Sequence, residues 1–300
     1  MCRRHADLSL NVSENRALCA HLYAGGVTSW LYGGNANFYN LGAGEFESEM
    51  STLATIAAEV GATGSAAPLV IPSVGPDYGK MMDQAKILAR MDFKTAMVLP
   101  LDFPATAEGS SAGIRAFAKA FGKKVIVYVK SDKVWTPSAI EDLVKEGLVV
   151  AVKYAIVREV PDDDPFLSEL CDRIGSKMII SGIGERPAAA HFCTFNVAGF
   201  TSGSVCVAPR LSTAILTALH AGDRAKADSL REHFLPLEDL RDAWSPIRTM
   251  HEAVTLSGVG NMGPMLPMLS NLSSREADLP ALKKAARGLL AANAAAQAKI

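Results

Sequence analysis

The chain has 300 residues, 49% hydrophobic and 20% charged, a composition that excludes disordered, collagen-like and coiled-coil proteins. Thirty basic residues against thirty-one acidic ones give a net charge of −1, so no overall charge attracts the chain to nucleic acid or to an anionic membrane. No apolar run is long enough to span a membrane, and five cysteines without a Cys-x-x-Cys pair favour a cytoplasmic protein with reduced thiols.

Seven short apolar runs, rich in β-branched residues, predict seven buried strands. They cover residues 26–31, 68–71, 95–99, 124–128, 148–152, 178–180 and 199–202. Segments with helical spacing lie between them, at residues 45–59, 78–90, 111–121, 137–146, 165–174 and 187–195. Strands that alternate with helices at this pitch are typical of βαβ units in a parallel sheet.

The pattern becomes wholly helical after about residue 204, with predicted helices over 211–221, 224–234, 238–257 and 279–296. We therefore predict an α/β fold, a (β/α)8 TIM barrel in residues 1–208, with a C-terminal helical extension in residues 209–300.

The start of the chain is a poor strand. A closed barrel uses eight strands, and residues 1–10 offer only Leu8 and Leu10 as apolar core before a helix predicted from Ser13. We expect the first strand to be poor or missing and the native start to lie upstream. A chain extended upstream is then expected to melt at a higher temperature and to aggregate less, since it leaves no strand edge unpaired. Equal melting temperatures of the two chains would contradict this.

Lys153 lies at the end of the otherwise apolar run Val150-Ala-Val-Lys153-Tyr154 and is the strongest candidate for a catalytic residue. Burial penalises an ammonium, so the pKa of such a lysine falls and its neutral amine becomes a nucleophile that can form a Schiff base with a keto acid. Tyr128 ends the preceding strand in the same way, where a phenol could carry protons. The alternatives are a lysine that extends to solvent and a tyrosine that only packs at the rim.

Two loops are candidate substrate-binding sites. The turn after the first predicted strand contains Gly33, Gly34 and Asn35, whose backbone N–H groups and side-chain amide can bind a carboxylate, although a plain tight turn explains it equally. In the loop after residue 180, Arg186 could hold an anionic group in a bidentate contact, or only form a salt bridge within the loop. Thr201, on the last predicted strand, adds polar groups to the same mouth.

No set of histidines and cysteines has metal-ligand spacing; His191 and Cys193, for example, stand alone. The chain carries, in order, the turn at Gly33, the strand-ending Tyr128 and Lys153, a Gly-x-x-Ser motif at residues 199–202 and a helical tail. This order resembles the dihydrodipicolinate synthase / N-acetylneuraminate lyase family over roughly residues 8–290. The family consists of class I aldolases, and the resemblance implies that Lys153 forms the Schiff base and that Tyr128 relays protons. It implies no metal and no bound cofactor.

The sequence departs from the family at the second-substrate pocket. The hydroxyl residues of the family's carboxylate-binding turn are absent from residues 33–37. Asp102 stands where dihydrodipicolinate synthases carry a second tyrosine, and Lys133 stands in the frame of their substrate-binding arginine. These departures argue against dihydrodipicolinate synthase itself.

The resemblance implies a lyase whose substrate is a small keto acid or sugar acid. It would cleave or form a carbon–carbon bond through a Schiff base on Lys153. Lys133 and Arg186 would face the far end of the substrate. A sugar-acid dehydratase such as 5-dehydro-4-deoxyglucarate dehydratase, or a non-catalytic barrel that binds a keto acid, remains an alternative. The family also implies a homo-oligomer, a tetramer or a dimer, without a nucleic-acid or membrane partner.

Overall fold

A computed structural model describes residues 4–34, 36–64 and 66–296. The strands are β1 (Ser29–Tyr32), β2 (Leu69–Val74), β3 (Met97–Val98), β4 (Val125–Val129), β5 (Val149–Tyr154), β6 (Ile179–Ser181) and β7 (Gly199–Phe200). They follow one another in one sheet in the order β1 to β7, with parallel pairing from β2 onward. All seven correspond to predicted strands, so the α/β fold is confirmed.

Twelve α-helices are present in the described residues. They are α1 (Val12–Ala24), α2 (Ala43–Gly61), α3 (Tyr78–Leu88), α4 (Ala107–Phe121), α5 (Pro137–Lys145), α6 (Pro165–Ile174), α7 (Ala188–Phe195), α8 (Pro209–His220), α9 (Arg224–Arg231), α10 (Leu235–Ala243), α11 (Pro246–Ser257) and α12 (Leu279–Ala296). None of the described helices is both long and apolar enough to cross a bilayer.

No strand precedes α1 in the described part of the chain, as the poor apolar pattern of residues 1–10 predicts. Arg4 forms only an isolated antiparallel bridge with Leu10. The buried Arg4 side chain is ion-paired with Glu49, which is also buried, and this contact fixes the segment to α2.

The chain divides into two compact units. Among the described residues, unit 1 takes those up to Val70 and those from Ser202 onward, and unit 2 takes Ile71–Thr201. The predicted division at residue 208 follows a different criterion, the end of the strand pattern, and stays a prediction.

Unit 2 contains the βα units that the sequence pattern predicts. Each of α3 to α6 is preceded by a capping residue whose side chain accepts a hydrogen bond from a backbone N–H of the first turn. These residues are Asp77, Thr106, Thr136 and Asp164. Helices α5 and α6 also start with proline, which lacks the N–H that the first turn leaves unpaired. The loops between strand ends and helices are therefore ordered by their own sequence.

Successive side chains of β5 point to opposite faces of the sheet. Tyr154 is fully buried, its hydroxyl donates a hydrogen bond to Asp164, and burial raises its pKa. Asp164 also accepts from the N–H of Leu167 at 3.1 Å and pairs with Arg158 at 3.3 Å. These contacts fix the face of β5 that Tyr154 occupies, and hence leave the other face to Lys153.

Unit 1 holds the C-terminal helices, and here one predicted helix is wrong. The helix predicted over residues 238–257 is two helices, α10 and α11, which are separated at Trp244 and Ser245. Pro246 lacks a backbone N–H and sits in the first turn of α11, so the chain breaks before it. The side chain of Asn293 accepts from the N–H of Arg210 at 2.9 Å and so ties α12 to the start of α8.

Candidate active site

Lys153 and Tyr128 lie side by side on neighbouring parallel strands. They are register partners on β5 and β4, so both side chains leave the sheet at the same level. Lys153 is only 7% exposed, and its Nζ lies 3.9 Å from the centroid of the Tyr128 ring. The structure thus brings together the two residues that the sequence predicts as catalytic.

The missing side chain of Gly182 makes room for Lys153. A Cβ atom at Gly182 would lie 2.9 Å from both Cγ and Cε of Lys153 and 2.9 Å from Cβ of Ala155. The aliphatic part of Lys153 therefore crosses the backbone just after β6, where the N–H of Gly182 donates to the carbonyl of Tyr154 at 2.6 Å. Gly182 is a positioning residue that the sequence analysis did not single out.

The surroundings of Lys153 favour its neutral amine. Burial is the main cause and the nearby Lys130 ammonium a second one; together they lower the pKa of Lys153 from 10.5 to about 7. The Tyr128 ring favours the ammonium instead, but burial prevails. At neutral pH a substantial fraction of the Lys153 amine is then unprotonated, whereas a lysine in water is almost entirely protonated.

Tyr128 keeps its proton at neutral pH. Burial raises the pKa of its phenol from 10.0 to about 12. A phenol in this state can donate a proton to a developing alkoxide or leaving oxygen, and the resulting phenolate can take a proton back from a stronger acid. Lys153 and Tyr128 therefore offer a nucleophile and an acid next to each other.

The loop between β6 and α7 is held against the end of β7. The N–H of Thr201 donates to the carbonyl of Ser181 at 2.8 Å, and the N–H of Gly184 donates to the carbonyl of Thr201 at 3.1 Å. Thr201 and Arg186 are both half-buried, and Glu185 beside Arg186 is fully buried. Their roles as substrate-binding residues stay predictions.

The other predicted binding residues do not meet Lys153 in a described contact. Lys133 is exposed in the loop after β4, where its N–H donates to Ser131 at 3.1 Å. Gly33 and Gly34 belong to unit 1 and form a turn, in which the carbonyl of Gly33 accepts from Phe38 at 3.0 Å. Gly33 has a φ of +155°, which favours glycine, and Asn35 lies outside the described residues.

Lys130 is a second residue that the sequence analysis did not place in the site. It stands two positions after Tyr128, a spacing that puts both residues on one face of an extended chain. That spacing is the sequence signal for Lys130, whereas the contact of Gly182 depends on the approach of a distant segment. In the described ranges no group of three or more histidine, cysteine or acidic side chains could hold a metal ion.

Gly182→Ala is expected to lower kcat by about 10²-fold, because the added methyl displaces the Lys153 side chain and a shift of about 1 Å costs that much. Steady-state kinetics checks this, with an unchanged circular dichroism spectrum as the requirement for a folded protein. Gly113→Ala is the matched control, since its added Cβ meets Met81 only at an ordinary 3.6 Å. Full activity of Gly182→Ala would show that the Lys153 side chain does not need this space.

A family model described as the dihydrodipicolinate synthetase family matches residues 84–286. Among solved structures, the chain is similar to the dihydrodipicolinate synthase of Bacillus clausii, at 22% identity and a TM-score of 0.80, over 97% of this chain and 94% of that one. It is also similar to YagE, a prophage protein of the dihydrodipicolinic acid synthase family from E. coli K12 in complex with pyruvate, at 18% identity and a TM-score of 0.82, over 96% and 95% of the two chains.

The N-acetylneuraminate lyase of Fusobacterium nucleatum is similar as well, at 14% identity and a TM-score of 0.77, over 96% of this chain and 94% of that one. At these identities the likeness establishes the fold. No curated protein sequence matches the chain significantly.

Proposed function

Because this chain belongs to the dihydrodipicolinate synthetase family, we propose that it is a lyase that binds a 2-keto acid as a Schiff base on Lys153. The observation that carries the proposal is the buried amine of Lys153, whose pKa of about 7 leaves it nucleophilic at neutral pH. The alternative, a lysine that extends to solvent, does not agree with a side chain that is 7% exposed.

In the proposed reaction, the Lys153 nitrogen attacks the carbonyl carbon of the keto acid and the carbonyl oxygen takes a proton, which gives a carbinolamine. Loss of that oxygen as water leaves a protonated imine. The positive nitrogen accepts the electron pair of a bond to the neighbouring carbon, so that a C–C bond breaks or, in reverse, forms. Tyr128 supplies the proton to the departing oxygen and takes one back later in the cycle.

The substrate contacts are part of the same proposal. The turn at Gly33, Gly34 and Asn35 binds the carboxylate, and Lys133, Arg186 and Thr201 bind the far end of the substrate. The enzyme acts in the cytoplasm as a homo-oligomer and uses no metal or cofactor. Pyruvate is the first ligand to test, since the similar E. coli protein is described in complex with it.

Trapping with borohydride tests the Schiff base directly. Incubation with pyruvate and sodium borohydride is expected to leave a stable added mass on Lys153, located by mass spectrometry of peptides. A mass on another lysine, or none with pyruvate and several other keto acids, would overturn the proposal. Turnover of a panel of sugar acids then distinguishes an aldolase from a dehydratase, and trapping without any turnover identifies a non-catalytic keto-acid binder.

Condensation of pyruvate with aspartate semialdehyde is expected to stay at background. The chain carries Asp102 and Lys133 where that reaction's enzymes have a tyrosine and an arginine, and both side chains are exposed. A coupled assay with an authentic dihydrodipicolinate synthase as the positive control checks this. Robust condensation would show that the two departures do not exclude the activity.

A further inference from the structure

The Lys153 nitrogen lies over the face of the Tyr128 ring, at 3.9 Å from its centroid. The face of an aromatic ring carries partial negative charge and attracts a cation at this distance. The contact is fixed by the pairing of β4 with β5, in which the two residues are direct register partners. It therefore depends on the sheet and not on a loop.

A positive charge at this nitrogen has little other support from the protein. In the described part of the chain, no carboxylate pairs with Lys153, and the charged group that acts on it is the ammonium of Lys130, which repels a cation. The side chain is also almost completely buried, so water stabilises a charge there only weakly.

We propose that the face of the Tyr128 ring stabilises the positive charge of the protonated Schiff base on Lys153. The inference rests on the proposed function and adds a second role to Tyr128, which then acts through its ring as well as through its hydroxyl group. The reaction needs the protonated imine, because only the positive nitrogen withdraws electrons from the neighbouring bond. The neutral form of the amine, which starts the reaction, gains nothing comparable, so the ring favours the protonated imine over the reactive amine.

Phenylalanines with increasing fluorine content at position 128 test this with only a small change in the size of the ring. Fluorine withdraws electron density from the ring face and so weakens its attraction for a cation. We expect the dissociation constant of the borohydride-reducible pyruvate adduct to rise stepwise from Tyr128→Phe to 3,4,5-trifluorophenylalanine, by about 3- to 30-fold in total. Tyr128→Phe itself is expected to bind pyruvate nearly as the parent protein does.

The pKa of Lys153 gives a second readout. It shifts in opposite directions if the ring attracts the cation and if the ring only fills space. Weaker attraction by the ring lowers the pKa of Lys153 further below about 7, whereas a loosened site that admits water raises it towards 10.5. The pH dependence of the rate of adduct formation measures this pKa. A fall along the fluorinated series supports the proposal, and a rise contradicts it.

The same fluorinated series at Phe117 is the control. This ring is fully buried in α4 and stacks on Phe121, so adduct affinity is expected to stay constant there. If the parent protein forms no adduct on Lys153, the proposed function fails and this inference fails with it. If the parent forms the adduct but affinity does not change along the series at position 128, the ring proposal alone is overturned.

Discussion

Lys153→Met is expected to abolish the pyruvate adduct and to lower turnover by more than about 10⁴-fold, the order of loss when an enzyme loses its covalent nucleophile. Methionine keeps an unbranched side chain of similar length, which can cross Gly182 and pack on the Tyr128 ring as the lysine does. The loss would therefore report the missing amine and not a collapsed site. Trapping by borohydride and single-turnover kinetics measure the two effects.

The same variant is expected to be more stable than the parent protein at pH 6. The pKa of Lys153 is about 7 in the folded state, against 10.5 ordinarily, which corresponds to a cost of about 5 kcal/mol for burying the ammonium. Between about pH 7 and pH 10.5 the unfolded parent chain binds more protons at Lys153 than the folded one does. The free energy of unfolding of the parent therefore rises with pH in this window. The variant has no amine at this position, so its stability lacks this rise. The advantage of Lys153→Met should thus shrink from pH 6 to pH 10.

Urea unfolding at both pH values checks the stability prediction. Lys119→Met serves as the control, since this lysine is exposed on α4 and does not act on Lys153. A Lys153→Met protein that keeps substantial turnover would show that Lys153 is not the nucleophile. One that is less stable than the parent at pH 6 would show that burying the Lys153 ammonium does not destabilise the fold.

Tyr128→Phe is expected to slow turnover by about 10²- to 10⁴-fold, the usual contribution of a positioned proton-transfer group. The phenol, whose pKa is raised to about 12, is a donor at neutral pH, and phenylalanine removes that proton while it keeps the ring. Pyruvate should still bind to Lys153, so the loss should fall on kcat and only slightly on KM.

Steady-state and burst kinetics separate these two parameters. Tyr78→Phe is a suitable control, because Tyr78 lies in the first turn of α3 with 60% of its surface exposed and should be silent. A Tyr128→Phe enzyme with normal kcat and weakened binding would assign the residue to packing alone.

The strands could be predicted because buried parallel strands need continuous apolar sequence, and β4 and β5 carry it plainly. The helices of unit 2 could be predicted from the helical spacing of their apolar residues, and the structure adds the capping residues, such as Thr136 and Asp164. The exact length of β3 could not, since its pairing covers only Met97 and Val98, although the apolar run is longer. The break between α10 and α11 was also not predicted, because the helical spacing of residues 238–257 continues across Trp244.

That Lys153 lies close to Tyr128 could be predicted, because the two residues end successive parallel strands. The fit of Lys153 against Gly182 could not, because it depends on how closely the segment after β6 approaches β5. The sequence also does not tell whether a tyrosine presents its ring face or its hydroxyl to a neighbour. The spacing of Lys130 from Tyr128 can be read from the sequence. Its effect on the pKa of Lys153 depends on the distance between the two ammonium groups, which only the structure gives.

The anchoring of Tyr154 to Asp164 limits how this protein can change in length. A single-residue deletion or insertion in the turn between α5 and β5 would move the strand by one position and exchange its two faces. After a deletion the phenol of Tyr154 would stand where the amine of Lys153 now lies, and after an insertion the side chain of Val152 would stand there. In both cases the bond between Tyr154 and Asp164 would be lost. Length changes in that turn should therefore be rejected in a library of insertions and deletions, whereas those in the exposed connection between α8 and α9 should be accepted.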